Sequence, residues 1–518
     1  MLRIQAAGFS KSNKEMFSVI NHSTMKIIKQ ILKMDILLLI SFSVLISQTK
    51  RDPRSVALAG TYTTIADGIF SVGYNPSLLA YQQEKPFMLQ LGGFDFGIVG
   101  NYISLSNLYS LSGDTLSNNE KDLLYDNFKD NGLTFFPDFH MPYPGLNFSS
   151  GNMAFTSNML LMSDIRIPSG LLRLLLYGNA NDPELDLTLK YEILGVNEFG
   201  FSFAVPFDQF AVGMTLKYLQ GLFYFGIDPD SSYANLVTTD EAVYGEGAYF
   251  IRQGFGGGGF GVDLGLSTRE TNGWRVGFSI INAIGSISWN KPSMVKDILA
   301  GEDGEYGNED DLWHMTWGGE ILDDSSAVLY TYSIDSLSVS SLTSDSLFSS
   351  EQRIVKDLDK DGNLNEFTTD YPALFRIGVS RRFPELVIAS DLVTGFENRF
   401  YARKKWKWSL AVESTRFPSV PLRIGYCYGG SDFKELSMGF GIHKGPIIFD
   451  VGMAFRNGIW IHTMKGINLS MGVTITSFGG RKDENQDVET TGGPLPVPVD
   501  QNESEEKDVN KPGSLPSE

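Results

Sequence analysis

Along Ile467–Phe478 every second residue is apolar: Ile467, Leu469, Met471, Val473 and Ile475. Asn468, Ser470, Gly472, Thr474 and Thr476 lie between them, and neither face carries a charge. An alternation of period two predicts a β-strand, because successive side chains point to opposite faces of a pleated chain. The pattern recurs. Glu184–Ile193 sets Leu185, Leu187, Leu189, Tyr191 and Ile193 against Asp186, Thr188, Lys190 and Glu192. Phe199–Phe207 sets five large apolar residues against Gly200, Ser202 and Ala204, and Val212, Met214, Leu216 and Tyr218 oppose Gly213, Thr215 and Lys217. Further segments follow around Asp263, Arg275, Arg376, Glu413, Arg423, Ser437 and Asp450. Roughly fourteen to sixteen segments of this kind, many joined by short turns, suit an up-and-down barrel.

The two faces differ in kind. The apolar faces carry almost no charge, whereas the other face carries Asp186, Lys190, Glu192, Lys217, Asp263, Arg275, Arg376, Glu413, Arg423 and Asp450. A soluble sandwich buries its apolar face against a second sheet. A membrane barrel turns that face to lipid and the small, polar face to its lumen. Phe, Tyr, Trp and Met are frequent on the apolar faces, as expected of a lipid-facing band with aromatic girdles.

Some stretches leave the pattern. Asn118–Gly132 and Pro168–Gly178 read as helices in loops or the lumen. Residues 288–371 are acidic and Ser-rich, and read as an insert outside the membrane. Residues 479–518 are rich in Pro, Glu, Asp and Asn, with too few apolar residues to fold alone. Gly256–Gly261 formally contains G-x-G-x-x-G but leads into an alternating strand rather than a helix, so it reads as a flexible turn.

Composition sharpens this picture. The 518 residues are 42% hydrophobic and include 54 Gly, 36 Phe and 21 Tyr. The mean hydropathy of −0.09 gives no helical membrane protein. It is compatible with a membrane β-barrel, where half of each strand is polar. A net charge of −19 argues against a nucleic-acid partner. With Cys427 the single cysteine, no intrachain disulfide forms. Residues 25–48 read as a secretory signal peptide: Lys26, Lys29 and Lys33 precede the apolar run Ile36–Ile46, which is too short to span a bilayer as a helix. Residues 1–24 have no place in that design and read as an upstream start artefact.

The segment after the signal, residues 49–83, resembles the N-terminal segment of FadL-like and PorV-type outer-membrane barrels of Gram-negative bacteria. The matching residues are Ala59, Gly60, Tyr62, Thr63, Ile65, Ala66, Asp67, Asn75, Pro76, Leu79 and Ala80. Ser77 stands where that pattern usually has Ala, and Gly259–Asn290 looks like the paired strands of PorV-like relatives. The resemblance implies that 49–83 forms a hatch inside the barrel, with Asn75 and Pro76 as its motif. The residues agree: Pro76 biases Asn75 out of the helical region, and Asn tolerates tight turns. An ordinary loop before a strand is the competing reading.

Enzyme signatures are missing: there is no H-E-x-x-H and no G-x-S-x-G, and the five histidines are scattered. The sharpest local signal is Asp357–Phe367. Asp357, Asp359 and Asp361 have the 1-3-5 spacing of a Ca²⁺ loop, followed by Gly362, Asn363 and Asn365. Thr368 replaces the usual Glu at position twelve unless Asp370 substitutes, and a solvated acidic loop is the bland alternative. Asp303–Asp311 is a weaker acidic candidate. Any ion would order loops, and no cofactor is required.

The expectation is therefore an all-β chain, a transmembrane antiparallel up-and-down barrel over 84–478 with an N-terminal hatch, exported to the Gram-negative outer membrane. It is not an enzyme. Its partners would be outer-membrane lipid and a hydrophobic small molecule that it conducts passively. The resemblance also leaves open a barrel that binds exported proteins for secretion or surface attachment. A soluble secreted β-protein is the third reading.

Overall fold

A computed structural model describes residues 52–82, 86–102, 104, 116–179, 183–239, 243–290, 360, 366–430 and 434–477, together with the backbone of strands at 316–317, 320–321, 325–337 and 353–356. The signal peptide, the residues before it, the tail 479–518 and the Ca²⁺ candidates Asp357, Asp359, Asp361, Asn363 and Asn365 lie outside the described residues.

Among the described residues, fourteen strands make a barrel. They are β1 Phe87–Gly100, β2 Leu133–Pro142, β3 Met153–Ile167, β4 Lys190–Pro206, β5 Phe210–Ile227, β6 Val243–Thr268 and β7 Trp274–Ser288. The chain continues with β8 Leu374–Phe383, β9 Leu386–Gly395, β10 Lys407–Ser414, β11 Leu422–Gly429, β12 Lys434–Lys444, β13 Ile447–Arg456 and β14 Gly466–Thr476. Each strand pairs antiparallel with the next. β14 returns to β1 in register from Met88↔Thr476 to Val99↔Gly466. Closure removes the unpaired edges that an open sheet of this size would expose.

The two ends differ. At the end bearing Phe87 and Thr476, here the near end, connections are mostly tight: 207–209, 269–273, 384–385 and 445–446. At the far end the connections 101–132, 168–189 and 289–373 are long. Two of them carry the expected helices, α2 Asn118–Asp126 and α3 Ser169–Tyr177. Tyr177 donates its hydroxyl proton to Asp122 and so ties the pair together.

Burial is inverted relative to a soluble sheet. On β14, Asn468, Ser470 and Thr474 are at most 2% exposed, while Ile467, Leu469, Met471, Val473 and Ile475 remain half-exposed. On β4–β6 and β10–β12 Phe201, Leu216, Leu266, Leu410, Ile424 and Ile442 are exposed, and Ser202, Thr215, Ser267, Ser409 and Ser437 are buried. The polar faces point inward, and the apolar faces form the outer wall.

Two expectations change. Glu184–Ile193 is not one strand. Asp186 Oδ1 accepts the Thr188 amide at 2.8 Å, a local turn that competes with the ladder. Glu184–Asp186 therefore pairs with Tyr233–Thr238, and β4 starts only at Lys190. Gly256–Gly261 is not a turn but lies within β6. Its missing side chains let neighbouring strands approach: a Cβ at Gly257 would overlap Ile287 and one at Gly259 the Ser286 backbone, while just outside the run a Cβ at Gly254 or Gly221 would overlap Trp289. The lumen beside Thr474 is filled by the N-terminal segment, as described next.

Candidate functional site

Residues 52–82 sit inside the near half of the barrel. They begin with the short helix α1 Pro53–Ala57. Asp52 caps it, its Oδ1 accepting from the Arg54 and Ser55 amides, and Pro53 supplies the preset first position. The chain then turns through Ala59 and Gly60, both at positive φ. Tyr62, Ile65, Tyr74 and Leu78 pack on Val387, Ala389 and Ala411 of the wall. Wall glycines allow the backbones to meet: a Cβ at Gly213 or Gly265 would overlap the Asn75–Ser77 turn, one at Gly425 would overlap Leu58, and one at Gly452 would overlap Pro53.

Asn75 and Pro76 stand at the seam between plug and wall. Asn75 is fully buried. Its Oδ1 accepts from the Ser77 amide and hydroxyl, capping the 3-10 turn Pro76–Tyr81. Its Nδ2 donates to Thr63 O at 3.0 Å and to Leu266 O of β6 at 3.2 Å. Ser77 Oγ is 2.7 Å from Ser267 Oγ, a contact that Ala would not make.

The charges on the lumen face are paired with one another, with the plug, or with a loop across the mouth. Arg54 of α1 meets Glu413, which also accepts from Arg423, which in turn reaches Asp450 and through it His443. Asp391 Oδ2 accepts the amides of Tyr62 and Thr63 and the Thr63 hydroxyl, and Arg376 donates to Gly60 O. Arg275 donates to Thr64 O and lies 4.8 Å from the Tyr81 ring centre. Deeper in, Lys217 Nζ lies 3.2 Å from Glu198 and 3.0 Å from Asp263, and donates to Asn282 Oδ1 at 2.8 Å. Burying such groups is tolerable only because each meets an opposite charge or hydrogen-bond partner. Asp186 and Lys190, by contrast, are exposed, beside the break before β4. Sequence reading missed Glu198, Asp391 and Arg54. Glu198 was detectable, since it shares the parity of Gly200 and Ser202.

The far half of the lumen is apolar. Leu160, Met162, Leu194, Val196, Leu219 and Tyr224 form a buried cluster with Ile287, Trp289, Tyr371 and Phe400. Leu194 and Val196 share the inward parity of Glu198, and Leu219 shares that of Lys217. Above this cluster the β9–β10 connection, residues 396–406, crosses the mouth. Arg399 binds Glu192 on β4, and Arg403 Nη1 donates to Asp164 on β3 at 3.3 Å. Burial, with the Glu198 and Asp263 carboxylates nearby, pushes the Tyr401 hydroxyl well above its ordinary pKa. It therefore remains a donor, bonded to Pro372 O at 2.7 Å. Between this strap and the plug lies a cavity of about 80 Å³, bounded by Gly60 and Tyr74 below and by Tyr401, Arg403 and Lys405 above. It has room for several waters at about 10–15 Å³ each.

Among known proteins, a family of unknown function, DUF5723, matches residues 80–249. No curated protein matches. Similar solved structures include the toluene transporter TbuX of Ralstonia pickettii, at 13% identity over 83% of this chain and 98% of that one, with a TM-score of 0.45. The Pseudomonas putida toluene transporter TodX is 10% identical over 83% and 99% of the two chains, with a TM-score of 0.41. A Pseudomonas aeruginosa FadL homologue is 12% identical over 83% and 99%, with a TM-score of 0.42. At such values the barrel reading rests on the strand pairing described above.

Proposed function

We propose that this chain is an outer-membrane channel that passes hydrophobic small molecules without a standing water pore. The observation that carries the reading is the inverted burial: a closed barrel, apolar outside, holds a plug in its near half and an apolar cluster in its far half. A soluble protein rarely leaves a contiguous apolar surface of more than a few hundred Å² in water. Here the apolar side chains of many strands face outward together, so a membrane is the solvent that suits them. The short near-end turns then face the periplasm and the long loops the outside, the asymmetry usual in such barrels. An apolar solute would leave the outer face, partition into the far-half cluster, and pass the plug when its contacts with the wall loosen. On this reading the Ca²⁺ loop at Asp357, Asp359 and Asp361 would order the insert and take no part in passage.

The test is uptake of an uncharged apolar solute and of a small sugar by proteoliposomes. Membrane insertion is verified by a mobility shift between unboiled and boiled samples. Faster apolar uptake with sugar excluded supports the channel. A correctly inserted protein that passes neither, and copurifies with an exported protein in fixed ratio, supports the surface-attachment reading instead.

A further inference from the structure

Phe400 is the least expected residue in the strap. It is a bulky aromatic at φ 47°, in the left-handed region that side chains of its kind avoid. Such a conformation is strained and persists only when its surroundings over-determine it. Here they do. On one side Arg399 is held by Glu192 and by Asp370 O at 2.6 Å. On the other, Arg403 and Arg166 share Asp164, and Arg166 also donates to Asn398 O. These anchors lie on β3, β4 and the strand Thr368–Asp370, whereas the strap leaves β9 and returns to β10. Counted around the ring of strands, β3 and β4 stand nearly opposite β9 and β10, so the strap spans the lumen. Between its anchors, Phe400 is 3% exposed, inside the apolar cluster of Leu160, Leu194, Leu219, Tyr224 and Trp289.

We propose that Phe400 is a built-in stopper: strap 396–406 holds its ring in an apolar subsite of the far lumen sized for one aromatic ring, and a solute reaches that subsite only by displacing it. This rests on the channel reading above and adds to it an outer gate, separate from the plug. The subsite has the right chemistry for an uncharged aromatic or compact aliphatic ligand. Its surroundings are mostly aliphatic and aromatic side chains, and a dry apolar cavity opened by truncating one large residue binds benzene-sized molecules. The strain at Phe400 and the ion pairs oppose each other. The pairs keep the stopper in, and release of the strap would return the strain energy.

Two measurements separate this proposal from the channel reading. The first is binding of a small apolar aromatic, toluene, to protein in detergent. Phe400→Ala should bind about tenfold more tightly than the unmutated chain, whereas Phe400→Leu, which keeps an apolar stopper, should stay close to the unmutated value. Folding of each variant is checked by the mobility shift. Equal affinity in all three overturns the stopper. The second is toluene uptake by vesicles carrying Arg399→Cys with Glu192→Cys, before and after bridging the two thiols with a short bis-maleimide. Where the unbridged form takes up toluene, uptake that falls on bridging supports the gate, and uptake unchanged by bridging overturns it. If no form takes up toluene while Phe400→Ala still gains affinity, the channel reading fails and the stopper stands as a binding site.

Discussion

Arg54 of the plug and Glu413 of β10 form a two-pronged contact: Arg54 Nη2 lies 2.6 Å from Oε2 and Nε lies 3.1 Å from Oε1. Arg423 holds the same carboxylate at 2.9 Å. The two substitutions are therefore unequal. Arg54→Ala leaves Glu413 paired with Arg423 and should cost about 1.5–3 kcal/mol of plug seating, the value of a hydrogen bond to a charge. Glu413→Ala strands Arg54 inside the barrel and should cost about 3–5 kcal/mol, as breaking a buried pair does. Protease cutting within residues 52–82, compared with sugar leak from vesicles, reports seating. Equal leak from the two variants would contradict this ranking.

Gly452 and Gly425 test how the plug is held. Valine at either position brings a side chain into plug backbone, at Pro53 or Leu58 respectively. Both variants should assemble as barrels, because neither glycine needs positive φ, yet leak sugar. Gly92→Ala is the control: a Cβ there meets nothing within 4 Å. A tight Gly452→Val vesicle would mean that the plug can shift without opening a path.

Val473 and Thr474 test the two faces of β14. Val473→Arg places a charge in hydrocarbon, at about 2–4 kcal/mol near the midplane. Thr474→Arg is also costly, because Thr474 is 2% exposed and an unpaired buried charge is disfavoured. The origins differ, so the readout is refolding in vesicles of two acyl lengths. The Val473→Arg penalty should change with bilayer thickness and the Thr474→Arg penalty should not. The reverse dependence would exchange the assigned faces.

The insert carries the fourth prediction. Replacing Asp357, Asp359 and Asp361 with Ala should remove any Ca²⁺ protection of residues 288–371 against protease and leave the barrel's mobility shift intact. Thr368 and Asp370 lie in a strand paired with β7, and Thr368 Oγ1 is 3.2 Å from Ser288 Oγ. The downstream end of the loop is thus already fixed to the wall. If Ca²⁺ leaves the cleavage pattern of the unmutated chain unchanged, the loop is only acidic.

The alternation of apolar and polar positions by itself determined the strands, their approximate number and which residues share a face, because side-chain direction in a strand depends only on parity. It also singled out Lys217, Asp263, Glu413, Arg423 and Asp450 as companions on the small, polar face. Asn75 and Pro76 are marked by the family resemblance together with their own turn chemistry, and not by the alternation. Only the tertiary structure decided which way the faces point, since parity is the same for a barrel and a sandwich, and only closure of β14 on β1 fixes an inside. It also decided the partners. Arg54 and Glu413 are 359 positions apart, and Arg399 and Glu192 are 207 apart. No local period encodes such a distance. Local hydrogen bonding accounts for the misread strand: Asp186 captures the Thr188 amide where period alone continues the ladder. The glycine run at 256–261 reads as a turn because composition sees missing side chains, whereas packing sees the close approach of Ile287 and the Ser286 backbone to Gly257 and Gly259. Phe400 shows the same limit, since its left-handed backbone is imposed by anchors on the opposite wall that no neighbouring residue foretells.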